Sequence, residues 1–187
     1  MVFIALLLAV RAGGAVVVLD GLVQAGLAPL RTQPVVAAFD WLTQIGTGAA
    51  GAAVLVVSSG LLWSGGRVGL VGPMWLAFVG AEATSWSVKF LTGRARPPFI
   101  EGLTAASPSF PSAHATVAVA VYGFLALAIA SGVPGRRVEI AVVAVVVVGL
   151  IGFSRLVLSF HYLSDVVGGA LVGAAWLALA WRLAGPR

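Results

Sequence analysis

The residues best suited to chemistry in this chain lie in three short segments, and their types are those that handle phosphate groups. The segments are Lys89 to Arg96 and Pro97, then Pro111-Ser112-Ala113-His114, then Ser154-Arg155 through His161 to Asp165. They contain the chain's only lysine and its only two histidines, in a sequence that is otherwise mostly Ala, Val, Leu and Gly. We therefore expect the three segments to form an active site.

The third segment contains a histidine and a carboxylate four residues apart. Side chains with this spacing share one face of a helix start, so the Asp165 carboxylate can accept a hydrogen bond from one ring nitrogen of His161. The other ring nitrogen would then present a lone pair, as in a catalytic triad whose histidine is itself the nucleophile. A His–Asp pair with a purely structural role is the alternative.

The second segment predicts a helix that begins at Ser112, directly after Pro111. A serine at this position can cap the helix. The free N–H groups near Ala113 and the positive end of the helix dipole also attract an anion. The two roles are compatible, and His114, close behind, would face the same anion.

A metal site is the rival interpretation of two histidines and an aspartate. The spacing matches no HExxH-type motif, and the chain has no cysteine. The neighbouring charges are Lys89, Arg96 and Arg155, which would repel a divalent ion. We therefore predict that the protein uses no metal and no cofactor.

The composition indicates a membrane protein. Of 187 residues, 60% are hydrophobic and only 9% are charged, against roughly 25% charged residues in soluble proteins. Apolar runs near the ~20 residues that cross a bilayer as a helix predict an all-α, polytopic membrane protein with one domain over residues 1–187. Its six predicted transmembrane helices are about 2–19, 44–63, 68–90, 112–131, 138–156 and 163–182.

Three further features of the sequence bear on the layout of the helices and on possible partners. Residues 20–42 are expected to form an interfacial segment and not a span. The small residues Gly169 and Gly173 are expected to pack helices within the chain and not to form a dimer face. The net charge of +5 is explained by arginines at helix ends and in the site, so no nucleic-acid partner is expected.

The placement of arginines predicts the orientation. By the positive-inside rule, the connections with the most arginine should face the cytoplasm; the residues concerned are Arg67, Arg136, Arg137, Arg182 and Arg187. All three chemical segments then lie at the outer membrane–water interface. The abundance of Arg, Ala, Gly and Val suggests a bacterial source, and hence the inner membrane.

The cations of the site have a simpler alternative explanation. Lys89 and Arg155 end predicted spans, where each could reach the interface by snorkelling. A charge deep in the bilayer costs roughly 2.5–3.5 kcal/mol, so two such residues together with Arg96 and both histidines fit a phosphate site better.

The order and spacing of the three segments, from about Glu82 to Gly168, resemble the signature of the type 2 phosphatidic acid phosphatase superfamily. One departure is Ala113, where the family usually has glycine. The resemblance implies that His161 attacks phosphorus to form a phosphohistidine, oriented by Asp165, while His114 protonates the leaving oxygen. It also implies residues that bind the phosphate oxygens: Lys89, Arg96, Ser112, the amide of Ala113, and Arg155. Pro97 and Ser154 belong to the same motifs.

Two charged residues outside the three-part signature, Arg94 and Glu82, are also candidates for a role in or near the site. Arg94 resembles a common residue of the family outside its strict signature, so it is a further candidate for substrate contact. Glu82 is expected to pair with an interior arginine.

The resemblance implies a membrane lipid phosphatase whose partners are its lipid substrate and the surrounding membrane lipids. Undecaprenyl or another polyprenyl diphosphate is the first substrate expectation, followed by phosphatidylglycerophosphate or phosphatidate. A phosphotransferase is an open alternative, because the same phosphohistidine serves both reactions. A non-catalytic lipid binder or transporter is a third class, which the complete set of polar residues argues against.

We predict that phosphate release is unaffected by EDTA and is inhibited by vanadate. Three cations and no carboxylate cluster leave no role for a metal, whereas vanadate mimics five-coordinate phosphorus on His161. The measurement is phosphate release in EDTA, with and without added magnesium. Loss of activity in EDTA and its return with magnesium would contradict this prediction.

Overall fold

The structure is a computed structural model and describes residues 1–98 and 100–185. Over these residues it is helical without strands, which confirms the all-α prediction. The helices are α1 (Val2–Ala12), α2 (Ala15–Leu27), α3 (Gln33–Thr43), α4 (Gly48–Ser64), α5 (Val71–Thr92), α6 (Ala113–Val117), α7 (Gly123–Gly132), α8 (Arg137–Val157) and α9 (Leu163–Ala184). A π-helical turn, Ala118–Tyr122, joins α6 to α7.

Four helical segments in the described part of the chain are long and apolar enough to cross a membrane. They are Val68–Thr92, Ala113–Gly132, Pro134–Val157 and Leu163–Ala184. Two bent pairs, Val2–Ala12 with Ala15–Leu30 and Gln33–Gly46 with Gly48–Ser64, raise the number to six if each pair is one span. The last four predicted spans therefore agree closely with the structure.

The N-terminal third differs from the sequence prediction. A continuous helix over 2–19 is wrong, because the chain bends by 81° between α1 and α2. Gly13 ends α1 with a φ of 79°, a left-handed conformation that glycine adopts without steric cost. Helix α2 then continues through Asp20 to Leu27. Much of the segment predicted to be interfacial is thus helical.

The second predicted span also begins later than expected. Residues 44–46 form a short 3₁₀ turn at the end of α3. Helix α4 starts at Gly48 because Thr47 caps it, its hydroxyl accepting a hydrogen bond from the amide of Ala50 at 3.2 Å. The pair of helices is bent by 50° at this break.

Helix α9 packs closely on the start of the α6–α7 span, and two glycines allow the approach. A methyl group on Gly169 would lie 2.3 Å from the Ser112 carbonyl oxygen, and one on Gly173 would lie 2.6 Å from the Thr116 carbonyl oxygen. Both distances are far inside van der Waals contact. The Gly169–Gly173 motif therefore packs helices within the chain, as predicted.

The two ends of the long helices differ in chemistry. At one end, Arg67 donates to the Ala128 carbonyl at 2.7 Å and to the Ser131 hydroxyl at 2.5 Å. The opposite end carries the three chemical segments. Between them, α8 exposes an apolar face that includes Val138, Val142, Val145 and Val146. Arg187, one of the arginines that predict the orientation in the membrane, lies outside the described residues.

We predict that Gly169→Ala destabilises the protein and that Gly149→Ala does not. The first adds a methyl against backbone, whereas nothing lies within 4 Å of a methyl at Gly149 in α8. Overpacking costs about 1–3 kcal/mol, which corresponds to a melting temperature lower by roughly 2–12 °C for a chain of this size. Thermal unfolding in detergent measures both variants. Equal melting temperatures for the two would show that the close approach at Gly169 is unimportant.

Candidate active site

The Asp165 carboxylate is the centre of the polar network at this end of the bundle. It lies in the first turn of α9 and is fully buried. Its Oδ1 accepts from Arg94 at 2.5 Å, and its Oδ2 accepts from the hydroxyl of Ser109 and from the Tyr162 amide, the latter at 2.8 Å. A buried carboxylate is stable only when it is paired and hydrogen-bonded in this way.

His161 lies beside this carboxylate. Its Nδ1 is 3.5 Å from Asp165 Oδ2, too far for a well-formed hydrogen bond, and no described residue gives this buried nitrogen one. The ring is almost fully buried. The sequence predicted that His161 and Asp165 share one face of a helix. In the structure α9 begins at Leu163, so Asp165 is in its first turn and His161 is in the turn before it. Nδ1 is the ring nitrogen directed at the carboxylate, and Nε2 is directed towards Arg96.

Burial lowers the pKa of His161 from its ordinary 6.5 to about 3. The Asp165 carboxylate opposes this effect, whereas Arg155 and Lys89 reinforce it. His161 is therefore a neutral imidazole at neutral pH. With a proton on Nδ1, facing Asp165, the lone pair is on Nε2, where Nη1 of Arg96 lies 3.2 Å away.

The turn that carries His161 has an unusual backbone. Ser159 has a φ of 56°, a left-handed conformation that costs a non-glycine residue on the order of 1 kcal/mol or more. Its hydroxyl donates to the Pro98 carbonyl at 2.9 Å, and the amides of Phe160 and His161 both donate to the Arg155 carbonyl. These bonds hold the turn in a shape that directs His161 into the site.

Arg96 lies in the loop between α5 and α6 and is held by neutral groups. Its Nε donates to the Ser107 carbonyl at 2.7 Å, and its Nη1 donates to the Phe160 carbonyl at 2.7 Å. Burial lowers the pKa of Arg96, while Asp165 raises it. Since its hydrogen-bond partners carry no charge, the positive charge remains available to an anion.

Lys89 and Arg155 follow the same pattern. Lys89 is almost completely buried at the end of α5 and donates to the Pro108 carbonyl at 2.8 Å. Arg155 is buried near the end of α8, donates to the hydroxyl of Thr43 at 2.8 Å, and lies over the ring of Phe160. Its buried Nε has no hydrogen-bond partner among the residues that the structure describes. Both side chains are directed into the protein and not towards its surface.

The second segment provides the helix start that the sequence predicted. Ser112 caps α6, its hydroxyl accepting from the Ala115 amide at 3.5 Å, and its own amide donates to the Asp165 carbonyl at 2.9 Å. Ala113 is the first residue of α6, and His114 follows it in the first turn. The Ser112–Asp165 bond joins the second segment to the third, and Arg96 Nη1, 3.2 Å from His161 Nε2, joins the first segment to the third. The fold thus brings the three segments together.

Three sequence-predicted residues have local roles in the structure. Pro97 is buried next to Arg96. Ser154 donates to the Ile151 carbonyl at 2.6 Å and contacts the Thr43 hydroxyl at 3.0 Å. Contrary to the expectation, Glu82 pairs with no arginine among the described residues; its carboxylate accepts from the indole of Trp86, one turn away on α5, at 3.0 Å.

Arg94 differs from the other cations because its partners are carboxylates. It pairs with Asp165 at 2.5 Å and with Asp20 at 2.7 Å. Two negative charges therefore neutralise this guanidinium. Contact between Arg94 and substrate stays a prediction, and the geometry gives the residue a structural role in holding Asp165.

Sequence reasoning missed several residues of this network, among them Asp20, Gln24, Thr43 and Ser109. Asp20, Gln24 and Thr43 are distant in sequence from the motifs, so only the fold brings them near, whereas Ser109 lies two residues before Pro111. A signal existed for Asp20, since an acidic residue in the apolar helix α2 needs a partner or a function. The other three have ordinary polar side chains that no sequence pattern distinguishes.

Comparison with known proteins identifies the class of this site. The family model described as the PAP2 superfamily matches residues 70–187. This match covers more than half of the chain and contains all three segments. The chain belongs to the PAP2 superfamily, as its motifs suggested.

Individual relatives point in the same direction. The chain is 34% identical over 83 residues to phosphatidylglycerophosphatase B of Bacillus subtilis (strain 168), a match that covers 43% of this chain and 41% of that protein. The crystal structure of a transmembrane PAP2-type phosphatidylglycerolphosphate phosphatase from B. subtilis has a TM-score of 0.88 and 24% identity, covering 96% of this chain and 90% of that one.

A second solved structure is more distant. LpxE of Aquifex aeolicus has a TM-score of 0.68 at 21% identity, covering 85% of this chain and 92% of that chain. Both structural matches establish the fold.

We predict that His161 stays neutral down to about pH 5 in the folded protein. Its folded pKa is about 3 and its ordinary value is 6.5. Between these values the unfolded chain binds the proton and the folded one does not. The contribution of His161 to the free energy of unfolding therefore decreases as the pH falls through this window.

The measurement is ¹⁵N NMR of histidine-labelled protein in detergent, titrated from neutral to acidic pH. The chain has two histidines, so a His114→Ala variant assigns the remaining signals to His161. Protein unfolded in denaturant is the control. A midpoint near 6.5 for His161 in the folded state would refute the neutral, buried imidazole.

Proposed function

We propose that this protein is a membrane lipid phosphatase that acts through a phosphohistidine on His161. The observation that carries this proposal is the environment of His161. A neutral, buried imidazole has Nδ1 towards Asp165 and Nε2 towards Arg96, beside three cations whose hydrogen-bond partners are uncharged. Such a site favours a phosphate dianion and a nitrogen nucleophile.

The first step would be attack of His161 Nε2 on phosphorus. A P–N bond forms while the P–O bond to the lipid breaks, and His114 gives its proton to the leaving oxygen. Lys89, Arg96 and Arg155 would stabilise the charge on the equatorial oxygens, which dominates phosphoryl-transfer catalysis. The hydroxyl of Ser112 and the amide of Ala113 lie at a helix start that favours the same anion.

The second step would be hydrolysis of the phosphohistidine. His114, now neutral, accepts a proton from water as the water oxygen attacks phosphorus. The P–N bond then breaks, inorganic phosphate forms, and the bonding electrons return to His161 Nε2. His114 ends protonated, so both histidines regain their starting states.

Phosphatidylglycerophosphate is the substrate that we favour. Polyprenyl diphosphate was the first expectation from the sequence, but the B. subtilis relatives are named phosphatidylglycerophosphatase and phosphatidylglycerolphosphate phosphatase. The test is a panel of phosphatidylglycerophosphate, phosphatidate and undecaprenyl diphosphate at equal mole fraction in mixed micelles. A higher kcat/KM for undecaprenyl diphosphate would instead support the substrate preference expected from the sequence.

We also propose that the site faces away from the cytoplasm of the inner membrane. Support comes from Arg67, Arg136, Arg137 and Arg182, which lie at the helix ends opposite the site. The chain has no cysteine, so single-cysteine variants give an unambiguous test. Ala106→Cys, in the loop beside the site, should react with an impermeant thiol reagent on intact cells, and Gly135→Cys should react only after lysis. The reverse pattern would invert the topology.

We predict that replacing each of the two histidines by alanine affects the activity differently. His161→Ala removes the nucleophile, so turnover is lost for every substrate. His114→Ala removes the acid, whose contribution is about 100- to 10,000-fold, and the loss should shrink with a good leaving group such as p-nitrophenolate. Asp165→Asn should keep the fold and lose much of the rate, because the Nδ1–H tautomer of His161 is no longer favoured.

The measurement is the activity of the three variants on an alkyl phosphate and on an aryl phosphate, with ³²P labelling of the protein. Labelled phosphoenzyme is expected in the wild type and not in His161→Ala. Rescue of His161→Ala by the better leaving group, with His114→Ala inactive on both substrates, would reverse the two assignments.

A further inference from the structure

Asp20 is a buried carboxylate that no motif of the family match includes. It lies in the middle of α2, outside residues 70–187, and only 1% of its surface is exposed. A buried charge is retained when it is fully paired and when its removal would leave another charge unpaired. The contacts of Asp20 show which groups depend on it.

Asp20 caps a helix that belongs to another part of the chain. Its Oδ1 accepts from the Ser164 amide at 2.9 Å, and its Oδ2 accepts from the Ser164 hydroxyl at 2.5 Å. Ser164 is the second residue of α9, where the backbone amides have no partner within the helix. The carboxylate therefore fixes the first turn of α9, and Asp165 is the next residue.

Asp20 also anchors the guanidinium that holds Asp165. Nη2 of Arg94 binds Asp20 Oδ2 at 2.7 Å, while Nη1 of the same side chain binds Asp165 Oδ1 at 2.5 Å. The planar guanidinium fork thus links the two carboxylates at a fixed separation. A third contact, from Nη1 to the Ser164 hydroxyl at 2.7 Å, closes the network.

The position of Asp165 matters because this carboxylate orients the His161 ring. His161 Nδ1 and Asp165 Oδ2 are 3.5 Å apart, already longer than a well-formed hydrogen bond, so the orienting effect of Asp165 depends closely on where this carboxylate is held. The same helix α2 contacts the other side of His161, because Gln24 donates to the His161 carbonyl at 2.8 Å. Helix α2 therefore fixes both the histidine backbone and the carboxylate that orients its ring.

We propose that Asp20 is a positioning residue for the nucleophile. Acting through Arg94 and Ser164, it holds Asp165 where this carboxylate keeps the proton on His161 Nδ1 and the lone pair on Nε2. This inference rests on the proposed function for its kinetic consequence. Its structural consequence, the tautomer of His161, does not depend on turnover.

The kinetic test compares Asp20→Asn with Glu139→Gln, which removes one negative charge at the exposed inner end of α8. Misplacement of a reacting group by a residue away from the chemistry costs about 10- to 100-fold. We expect Asp20→Asn to lower kcat by this factor with KM within about twofold, since Lys89, Arg96 and Arg155 keep their partners. Glu139→Gln should match the wild type.

A double-mutant cycle separates positioning from a general structural role. If Asp20 acts through Asp165, Asp20→Asn in an Asp165→Asn background should cause less than about a threefold further loss. Multiplication of the two single losses, or a fall in kcat matched by unfolding of Asp20→Asn at the assay temperature, would overturn the proposal.

The spectroscopic test uses ¹⁵N-histidine NMR of the wild type and Asp20→Asn. The wild type should give His161 as the Nδ1–H tautomer, and Asp20→Asn should give a mixture with the Nε2–H form. An unchanged tautomer in Asp20→Asn would overturn the proposal even if kcat fell. An inactive wild type would instead refute the proposed function and leave the tautomer comparison valid for Asp20.

Discussion

The burial of the Asp165 carboxylate is the constraint on which the rest of the site depends. A negative charge with no exposed surface is tolerated only where donors surround it. Here the donors come from separate parts of the chain: Arg94 and Ser109 from one loop, and the Tyr162 amide from the turn before α9. Satisfying this carboxylate therefore requires the loop, the turn and α9 to be assembled together, and the assembly leaves His161 beside it.

The distribution of neutral and charged partners gives the site its electrostatic character. Arg94 is neutralised by two carboxylates, so it stabilises the structure. Lys89, Arg96 and Arg155 are held by carbonyl and hydroxyl oxygens. Their geometry is fixed without cancelling their charge, and the surrounding low dielectric strengthens their attraction for an anion. Burial is the main cause of the low pKa of His161, and the same positive field lowers it further, so the cations that would bind phosphate also help to keep His161 neutral.

Helix packing and site chemistry are connected through the start of α9. The Ser112 amide donates to the Asp165 carbonyl at 2.9 Å, which sets the position of α6 relative to α9. This close approach continues along the helices because Gly169 and Gly173 have no side chain between the two backbones. The glycines thus maintain the distance between the helix start that would bind phosphate and the residues that would attack it.

The sequence by itself determined the helical membrane fold, the last four spans and the residues of the three segments. These features are local, since they depend on apolar run length, on helix-start signals and on spacing along the chain. The bend at Gly13, the start of α4 at Gly48 and the contacts of Asp20 and Thr43 were decided only by the tertiary structure. The pair Gly13-Gly14 and the single acidic residue Asp20 in the apolar helix α2 are compatible with many ways of packing the helices. Their role is fixed only when a partner distant in sequence, such as Arg94 for Asp20 or Arg155 for Thr43, comes within hydrogen-bonding distance.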